Sequence, residues 1–277
     1  MSKHKLLISD ISIIIPVKNN QNGIDMLLNS FIDSLIEEKL LPKEIIIVDN
    51  NSCPEIFLPK TTKQLSIPIR LEKCFKKGPA AARNLGANLA QGNWLFFTDS
   101  DCLFTESTLQ AYFNLNKDSN VLVGKVMPLK NDKISNFYKT INLLNPSFNE
   151  NNEAQFIITA NCLINKAEFF NVGGFDECFK RASGEDIDLG IRLRKNNTIL
   201  YVEKSVVHHC YNDNIIKMYK RFFRYGKTIR KLEIKHNFNV GINALFPKKT
   251  NTFSFYIFQL IAKIALKNAL LSSKYKG

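Results

Sequence analysis

Asp99-Ser100-Asp101 sets two carboxylates one residue apart, directly after the apolar run Trp94-Leu95-Phe96-Phe97-Thr98. That run reads as a buried strand, and a strand end is a poor place to leave two negative charges without a counter-ion. A hard divalent cation with oxygen ligands is the natural one. Held there with open coordination positions, it grips phosphate oxygens, which points to nucleotide-diphosphate chemistry. The same tripeptide also reads as a solvated turn that opens the next helix, because Asp and Ser are common turn and N-cap residues.

Four further groups carry chemically useful side chains. Asp49 finishes the apolar run Glu44-Ile45-Ile46-Ile47-Val48, Arg83-Asn84 lie on an Ala-rich stretch, Glu185-Asp186 open a helix, and His208-His209 end a late strand. Each has a purely structural reading. Asp49 would cap a turn, Arg83 would be a solvated helix charge, Glu185 and Asp186 would complement a helix N-terminus, and a histidine would be an ordinary core group. Their order favours one shared site: acidic groups recur at the ends of apolar strands, where a doubly wound sheet gathers its ligands.

The elements that must position these residues follow from periodicity. Continuous apolar runs at 12–17, 44–49 and 94–98, with a weaker one at 67–71, read as strands covered on both faces. The spacing of Leu27, Leu28, Phe31 and Leu35 predicts a helix over Asp25–Glu38, and Gly78-Pro79 opens another over Ala80–Ala90 that Gly92 stops. Strand–helix alternation with short loops predicts an α/β doubly wound, mostly parallel sheet. Further on, the pattern predicts a strand at 121–126, a polar loop at 145–153, and a strand at 156–164 broken near Asn161. A short helix at 166–171, a sharp turn at Gly173–Asp176, a helix at 187–195 and a strand at 199–207 complete the series. No G-x-G-x-x-G follows the first strand and no Walker A sequence occurs, so a nucleotide would be held by side chains and not by a glycine cradle.

At 277 residues the chain is long enough for a sizeable core, as one large domain or two packed halves. Met1–Asp10 carries no export-signal pattern, and the six scattered cysteines (53, 74, 102, 162, 178 and 210) include no C-x-x-C pair. They read as free thiols in a reducing compartment, hence a cytoplasmic protein. The formal charge of +13 is concentrated at one end: from Tyr211 onward there are 14 Lys and Arg against 2 Asp and Glu, while the first 210 residues hold 24 against 23. A basic tail meets nucleic acid, anionic lipid or an acidic partner. Met218–Lys227 interleaves cations with aromatic rings, which suits base stacking and a lipid headgroup layer equally. Phe253–Leu271 is mostly apolar, with Gln259, Lys263 and Lys267 recurring at i, i+4 and i+8 as one polar stripe. A spanning helix needs about 20 apolar residues with few or no charges. The stripe therefore favours a helix lying in the membrane interface, the alternative being a helix docked on the rest of the protein. No nucleic-acid-binding motif of the usual kinds is visible.

Several short motifs stand in a fixed order: Ile13-Ile14-Ile15-Pro16-Val17-Lys18-Asn19, Ile46-Ile47-Val48-Asp49-Asn50-Asn51-Ser52, Gly78-Pro79-Ala80-Ala81-Ala82-Arg83-Asn84-Leu85-Gly86 and Phe96-Phe97-Thr98-Asp99-Ser100-Asp101. Gly173-Gly174-Phe175-Asp176-Glu177, Gly184-Glu185-Asp186-Ile187-Asp188-Leu189 and Val206-Val207-His208 follow. With these the chain resembles a family 2 glycosyltransferase of the GT-A fold over roughly residues 10–210; Lys18 stands where the family often has an aromatic residue. The resemblance implies an inverting transfer from a nucleotide-diphospho-sugar, UDP-linked, to a hydroxyl of a glycan or lipid-linked acceptor in cell-surface polysaccharide synthesis. It implies a nucleotide-sugar site of Pro16, Asn19, Asp49, Arg83, Asp99 and Ser100. It implies Mn²⁺ or Mg²⁺ on Asp101 and His208, with His209 as the alternative. Asp186 would be the general base, and Asn161, Gly174, Phe175, Asp176 and Glu185 would lie in the acceptor region. Residues 1–120 would form the donor half, 121–210 the acceptor and catalytic half, and 211–277 a basic helical tail at the inner face of the membrane. Two other classes stay open: a non-catalytic sugar-nucleotide or glycan-binding module on the same fold, and a nucleic-acid binder acting through the tail.

Overall fold

The computed structural model describes residues 6–35, 41–113, 115, 119–237 and 253–274. Two compact units emerge: Met1–Met127 with Leu144–Cys210, and Pro128–Leu143 with Tyr211–Gly277.

The first unit is built on an eight-stranded sheet. Strands β1 (Ile11–Val17), β2 (Glu44–Asp49), β3 (Ile69–Lys73) and β4 (Trp94–Phe97) precede β5 (Cys102–Phe104), β6 (Val121–Pro128), β7 (Cys162–Asn165) and β8 (Ile199–His209), in the order β3-β2-β1-β4-β7-β6-β8-β5. β3, β2, β1 and β4 pair in parallel; β4 with β7, β7 with β6, and β8 with β5 pair antiparallel. Alternate residues feed opposite faces. Ile14, Ile46, Val48 and Phe97 join one core with the alanines of α2 (Pro79–Leu89), Phe169 of α5 (Lys166–Asn171) and Leu189 of α6 (Glu185–Leu193). Ile13, Ile15, Ile45 and Phe96 join the other with Leu27, Leu28 and Phe31 of α1 (Gln21–Asp33) and Tyr112 of α3 (Ser107–Phe113). Burial on both faces explains why these strands read as unbroken apolar runs.

Val17 lies level with Asp49, and Asp49 with Lys73, so β1, β2 and β3 finish together, while β4 ends three residues short, with Phe97 level with Ile14. Strands β2 and β3 lie on one side of β1 and β4 on the other, so the strand order reverses between β1 and β4, the topological switch where crevices form.

The structure departs from the predicted elements in local ways. Helix α1 begins four residues before its predicted start; its predicted end, Glu38, lies outside the described residues. Strand β3 runs two residues later than predicted. Residues 156–161 form turns, not strand: Ile157 and Ile158 are buried, but the backbone at Phe156–Ile157 lies against Gly190 of α6 and joins no ladder. Helix α6 starts at Glu185, after Gly184 in the left-handed region (φ 80°). Strand β8 extends through both histidines. The three-residue β5 and helices α3 and α4 (Lys133–Thr140) were not anticipated.

The second unit joins α4 to α7 (Ile215–His236) and α8 (Phe253–Lys274). Phe137 of α4 is buried, with ring centroids 5.0 Å from Phe255 and 5.8 Å from Phe258 of α8, and 6.2 Å from Phe222 of α7. The Tyr138 hydroxyl donates to Asp213 Oδ2 at 2.7 Å, and Arg221 Nε donates to the same oxygen at 2.6 Å. Gly226 lets α7 approach the backbone of α8 at Leu266. On α8, Gln259 is buried and Lys263 half-buried, while Lys267 is exposed. The predicted stripe of these three therefore runs from the packed face at Gln259 out to solvent at Lys267. By length and composition alone, Ser254–Ser272 is long and apolar enough to cross a membrane.

Candidate active site

The loops at the carboxyl ends of β1, β2 and β4 are stitched together by short polar side chains. Asn19, at φ 53°, accepts a hydrogen bond on Oδ1 from Cys53 N at 2.8 Å, and its own N–H donates to Ser52 Oγ at 2.8 Å. Asp49 is buried, and its Oδ1 accepts from Ser52 N at 3.0 Å, so one of its oxygens caps the turn after β2. Pro16 sits half-buried one residue before the end of β1. Asn20 caps α1 by accepting from Gly23 N at 3.2 Å, and its amide donates to Ser100 Oγ at 3.0 Å and Ser100 O at 3.2 Å. Ser100 is thus tied to α1, which fixes the turn carrying Asp99 and Asp101.

Arg83 is the hub. It is 3% exposed; its two terminal nitrogens donate separately to Asp99 Oδ1 at 2.6 Å and to Glu185 Oε1 at 2.8 Å. Its Cζ stands 5.6 Å from the centroid of the Phe175 ring. Burial alone would lower the guanidinium's pKa, but Asp99 and Glu185 outweigh it and the net shift is upward. The same arginine therefore links the end of β4 to the first turn of α6. Glu185, 3% exposed, also accepts from Ser183 N at 2.8 Å.

Asp186 is next on α6 and accepts from its neighbour's N–H (Ile187) at 2.8 Å. The residue keeps some accessible surface, yet enough protein surrounds its carboxyl for burial to dominate. Burial first, then the Glu185 carboxylate, pushes it up to about 7, against opposition from the Ile187 N–H and Arg83. Helix α6 is anchored by Asp188, fully buried and paired with Arg192 at 2.9 Å; Arg192 in turn donates to Val172 O at 2.6 Å.

The second histidine of β8 lies beside Asp101. The antiparallel register sets Cys102 opposite His209 and Leu103 opposite His208, and Cys210 N donates to Asp101 O at 2.8 Å. His209 Nε2 is 3.5 Å from Asp101 Oδ1, and one ligand atom each from Asp101, Cys102 and His209 lie within 4.8 Å of one another. Side chains alternate along a strand, so His208 points to the other face. Of the two histidines expected as alternatives, His209 is the one beside Asp101. Burial, and the nearby Asp101 and Asp99, push the Cys102 thiol well above its ordinary range, which leaves a carboxylate and an imidazole as the usable donors. An oxygen–nitrogen pair of this kind fits Mn²⁺ or Mg²⁺ completed by phosphate oxygens.

The acceptor-region expectations divide. Asn161 is fully buried and spent on the fold: its Oδ1 accepts from the Tyr112 hydroxyl at 2.8 Å, and its Nδ2 donates to Lys125 O and Ser205 O, both at 3.1 Å. It knits β6, β8 and α3 together, with its side chain bonded to protein partners. Phe175 is likewise a core ring, 5.2 Å from Phe97 and 5.4 Å from Phe169. Its contribution is the surface on which Arg83 rests. Gly174 takes φ 65° in the turn that leads into it, and Asp176 is half-buried, with Oδ1 accepting from Cys178 N at 2.8 Å.

Two asparagines hold the frame of the site, Asn84, named with Arg83 from the sequence, and Asn50, which was not singled out. Asn84 on α2 accepts from Phe175 N and donates to Phe175 O and Glu177 Oε1, each at 2.9 Å, so it clamps the Gly-Gly-Phe-Asp turn. Asn50 donates to Lys76 O at 2.7 Å and accepts from Gly78 N at 2.8 Å, fixing the entry to α2. For Asn50 the signal available was position, since it directly follows Asp49.

Comparison with known proteins adds three findings. The family model described as "Glycosyltransferase like family 2" matches residues 12–242. A Rickettsia bellii protein named "Uncharacterized glycosyltransferase" is 26% identical over 212 residues, 74% of this chain and 29% of that protein. The "Pre-mycofactocin glycosyltransferase" of Mycobacterium tuberculosis is 26% identical over 238 residues, 82% of this chain and 48% of that protein. The chain thus spans less than half the length of these curated relatives. Among solved structures, a mannosyltransferase of Pyrobaculum calidifontis in complex with GDP-Man and Mn²⁺ superposes with a TM-score of 0.56 at 15% identity, covering 97% of this chain and 76% of that one. At that identity the likeness establishes the fold.

Proposed function

The chain belongs to glycosyltransferase-like family 2, and on that premise we propose that it transfers a sugar from a nucleotide-diphospho-sugar to an acceptor hydroxyl, with inversion at the anomeric carbon. The observation that carries the reading is the Arg83 bridge, which holds the carboxylates after β4 close to the helix bearing Asp186. We take the donor to be UDP-linked, with Pro16, Asn19, Asp49, Asp99 and Ser100 around the nucleotide. Asp101 and His209 would hold Mn²⁺ or Mg²⁺. When bound, such an ion neutralises the diphosphate and makes it a better leaving group. Asp186, once ionised, accepts the proton of the attacking hydroxyl. Arg83 neutralises Asp99 and Glu185 and keeps both from drifting. Gly174 and Asp176 border the acceptor side. In this reading residues 1–120 serve the donor and 121–210 the acceptor. The acceptor is a glycan or lipid-linked sugar of a cell-surface polysaccharide, met in the cytoplasm at the inner face of an anionic membrane.

A panel of nucleotide-sugars, scored by donor hydrolysis and by calorimetric binding with and without Mn²⁺, tests the proposal. One donor should bind in the low micromolar to millimolar range typical of enzyme KM values. Asp101→Ala should abolish the metal-dependent part of that binding. If no nucleotide-sugar binds the wild-type protein, or if Asp101→Ala binds donor and metal unchanged, the assignment fails.

A further inference from the structure

Helix α8 is apolar on two opposite sides. Phe258, Ala262, Ala265, Leu266 and Ala269 are buried within the second unit. At 3.6 residues per turn, Tyr256, Ile257, Leu260, Ile264 and Leu271 fall on the other side within an arc of roughly 100°, and all are exposed. Lys263 lies just outside one border of that arc and Lys267 just inside it. A soluble helix turns polar residues outward; this one turns Leu and Ile outward, with lysines at the margin.

We propose that the outward face of α8 is a docking surface for an anionic lipid bilayer, the helix lying in the plane of the headgroups with its apolar arc in the acyl boundary. The surface rests on the membrane-side placement proposed above and sharpens it, but it needs nothing from the transferase chemistry. Marginal lysines suit this occupant, because their methylene stems cover apolar surface while the ammonium groups reach lipid phosphates. Charge selects lipid over a second copy of the chain. Residues 211–277 carry a net +12, so two such surfaces repel each other whereas an anionic leaflet attracts them. Packing selects lying over spanning. Gly226 brings α8 directly against α7, which carries eight Lys and Arg over its 22 residues, and a spanning α8 would have to leave that partner or take those charges into the bilayer.

The test is flotation of the full chain with vesicles of phosphatidylcholine, with and without phosphatidylglycerol. The protein should float with anionic vesicles at low salt, and far less with neutral vesicles or at high salt. Leu260→Glu with Ile264→Glu should lower vesicle partitioning roughly tenfold or more while leaving the thermal melt and turnover with a soluble acceptor unchanged. Lys263→Glu with Lys267→Glu should weaken binding to anionic vesicles only. Three outcomes overturn the proposal: unchanged flotation of the Leu260/Ile264 variant, resistance of the wild type to alkaline extraction as a spanning helix would show, or a vesicle-free dimer that the Leu260/Ile264 variant dissolves. Turnover of a soluble acceptor without flotation sinks the surface and spares the enzyme; flotation without any donor binding does the reverse.

Discussion

The general base proposed at Asp186 must lose a proton that its surroundings favour keeping. Its folded-state pKa, pushed up to about 7 by burial and then by Glu185, lies above the value of roughly 4 expected of an unfolded aspartate. The folded chain therefore holds that proton between about pH 4 and 7 while the unfolded chain has released it. Stability from this group is complete at low pH and disappears as pH climbs through that window, whereas the proposed proton transfer needs the ionised form. kcat/KM should rise with an apparent pKa near 7. Asp186→Asn should flatten that limb and cost roughly 10²–10⁴-fold in rate; a variant that keeps both limb and rate would remove Asp186 from the mechanism. Arg83 makes a second prediction. Arg83→Gln leaves Glu185 buried without its cation and should destabilise the fold by about 3–5 kcal/mol, read from urea melts. Arg83→Lys restores charge but not a fork able to hold two carboxylates at once. It should recover most of the stability and little of kcat. At this scale the acidic residues were legible because apolar runs mark where they stop. The partners were not: Arg83 meets Glu185 across 102 positions, and no local pattern encodes that distance. The choice between His208 and His209 was closed to sequence for the same reason, since it depends on the register of β8 against β5.

Helix α1 shows how an element is tuned to the site it serves. A glycine inside a helix ordinarily costs about 1 kcal/mol relative to alanine, so Gly23→Ala should stabilise on propensity alone. The structure reverses the sign. A Cβ at Gly23 would strike the Asn20 amide that caps the helix and the backbone carbonyl of Ser100, which sits between Asp99 and Asp101. The substitution should lower stability by about 1–3 kcal/mol and weaken metal-dependent donor binding, measured by thermal melts and calorimetry; an unchanged or raised melting temperature would show that the loop yields freely. The parallel strands were readable from sequence because double-sided burial leaves long apolar runs, and α2 and α5 because glycine, proline and asparagine punctuate them. Strand β5 was not readable. Three residues carry no period, and they are strand only because β8 lies alongside. The segment 156–161 failed in the opposite sense: its apolarity is real, but it serves packing against α6 and not a ladder.

At the scale of the molecule, family membership rests on residues 12–242, which run past the sheet unit into the helical one. That helical unit is assembled from two separated stretches, Pro128–Leu143 and Tyr211–Gly277. Its aromatic cluster needs both, because Phe137 packs on Phe222, Phe255 and Phe258. A fragment ending at Cys210 keeps every residue assigned to the chemistry, yet it strips the cover from Phe137 and Tyr138. It should therefore aggregate or bind a hydrophobic dye where the full chain does not; a monomeric, dye-silent fragment would contradict this. Charge asymmetry and the apolar terminal helix were plain in the sequence, whereas the recruitment of α4 into the same cluster was hidden by the 74 residues from Ile141 to Asn214 that separate it from α7. The interleaving also has a consequence in time. A ribosome must add 121 further residues after Phe137 before Phe258 exists, which at about 5–20 residues per second means roughly 6–24 s. Through that interval the aromatic face of α4 waits for its lid while the chain is still being made.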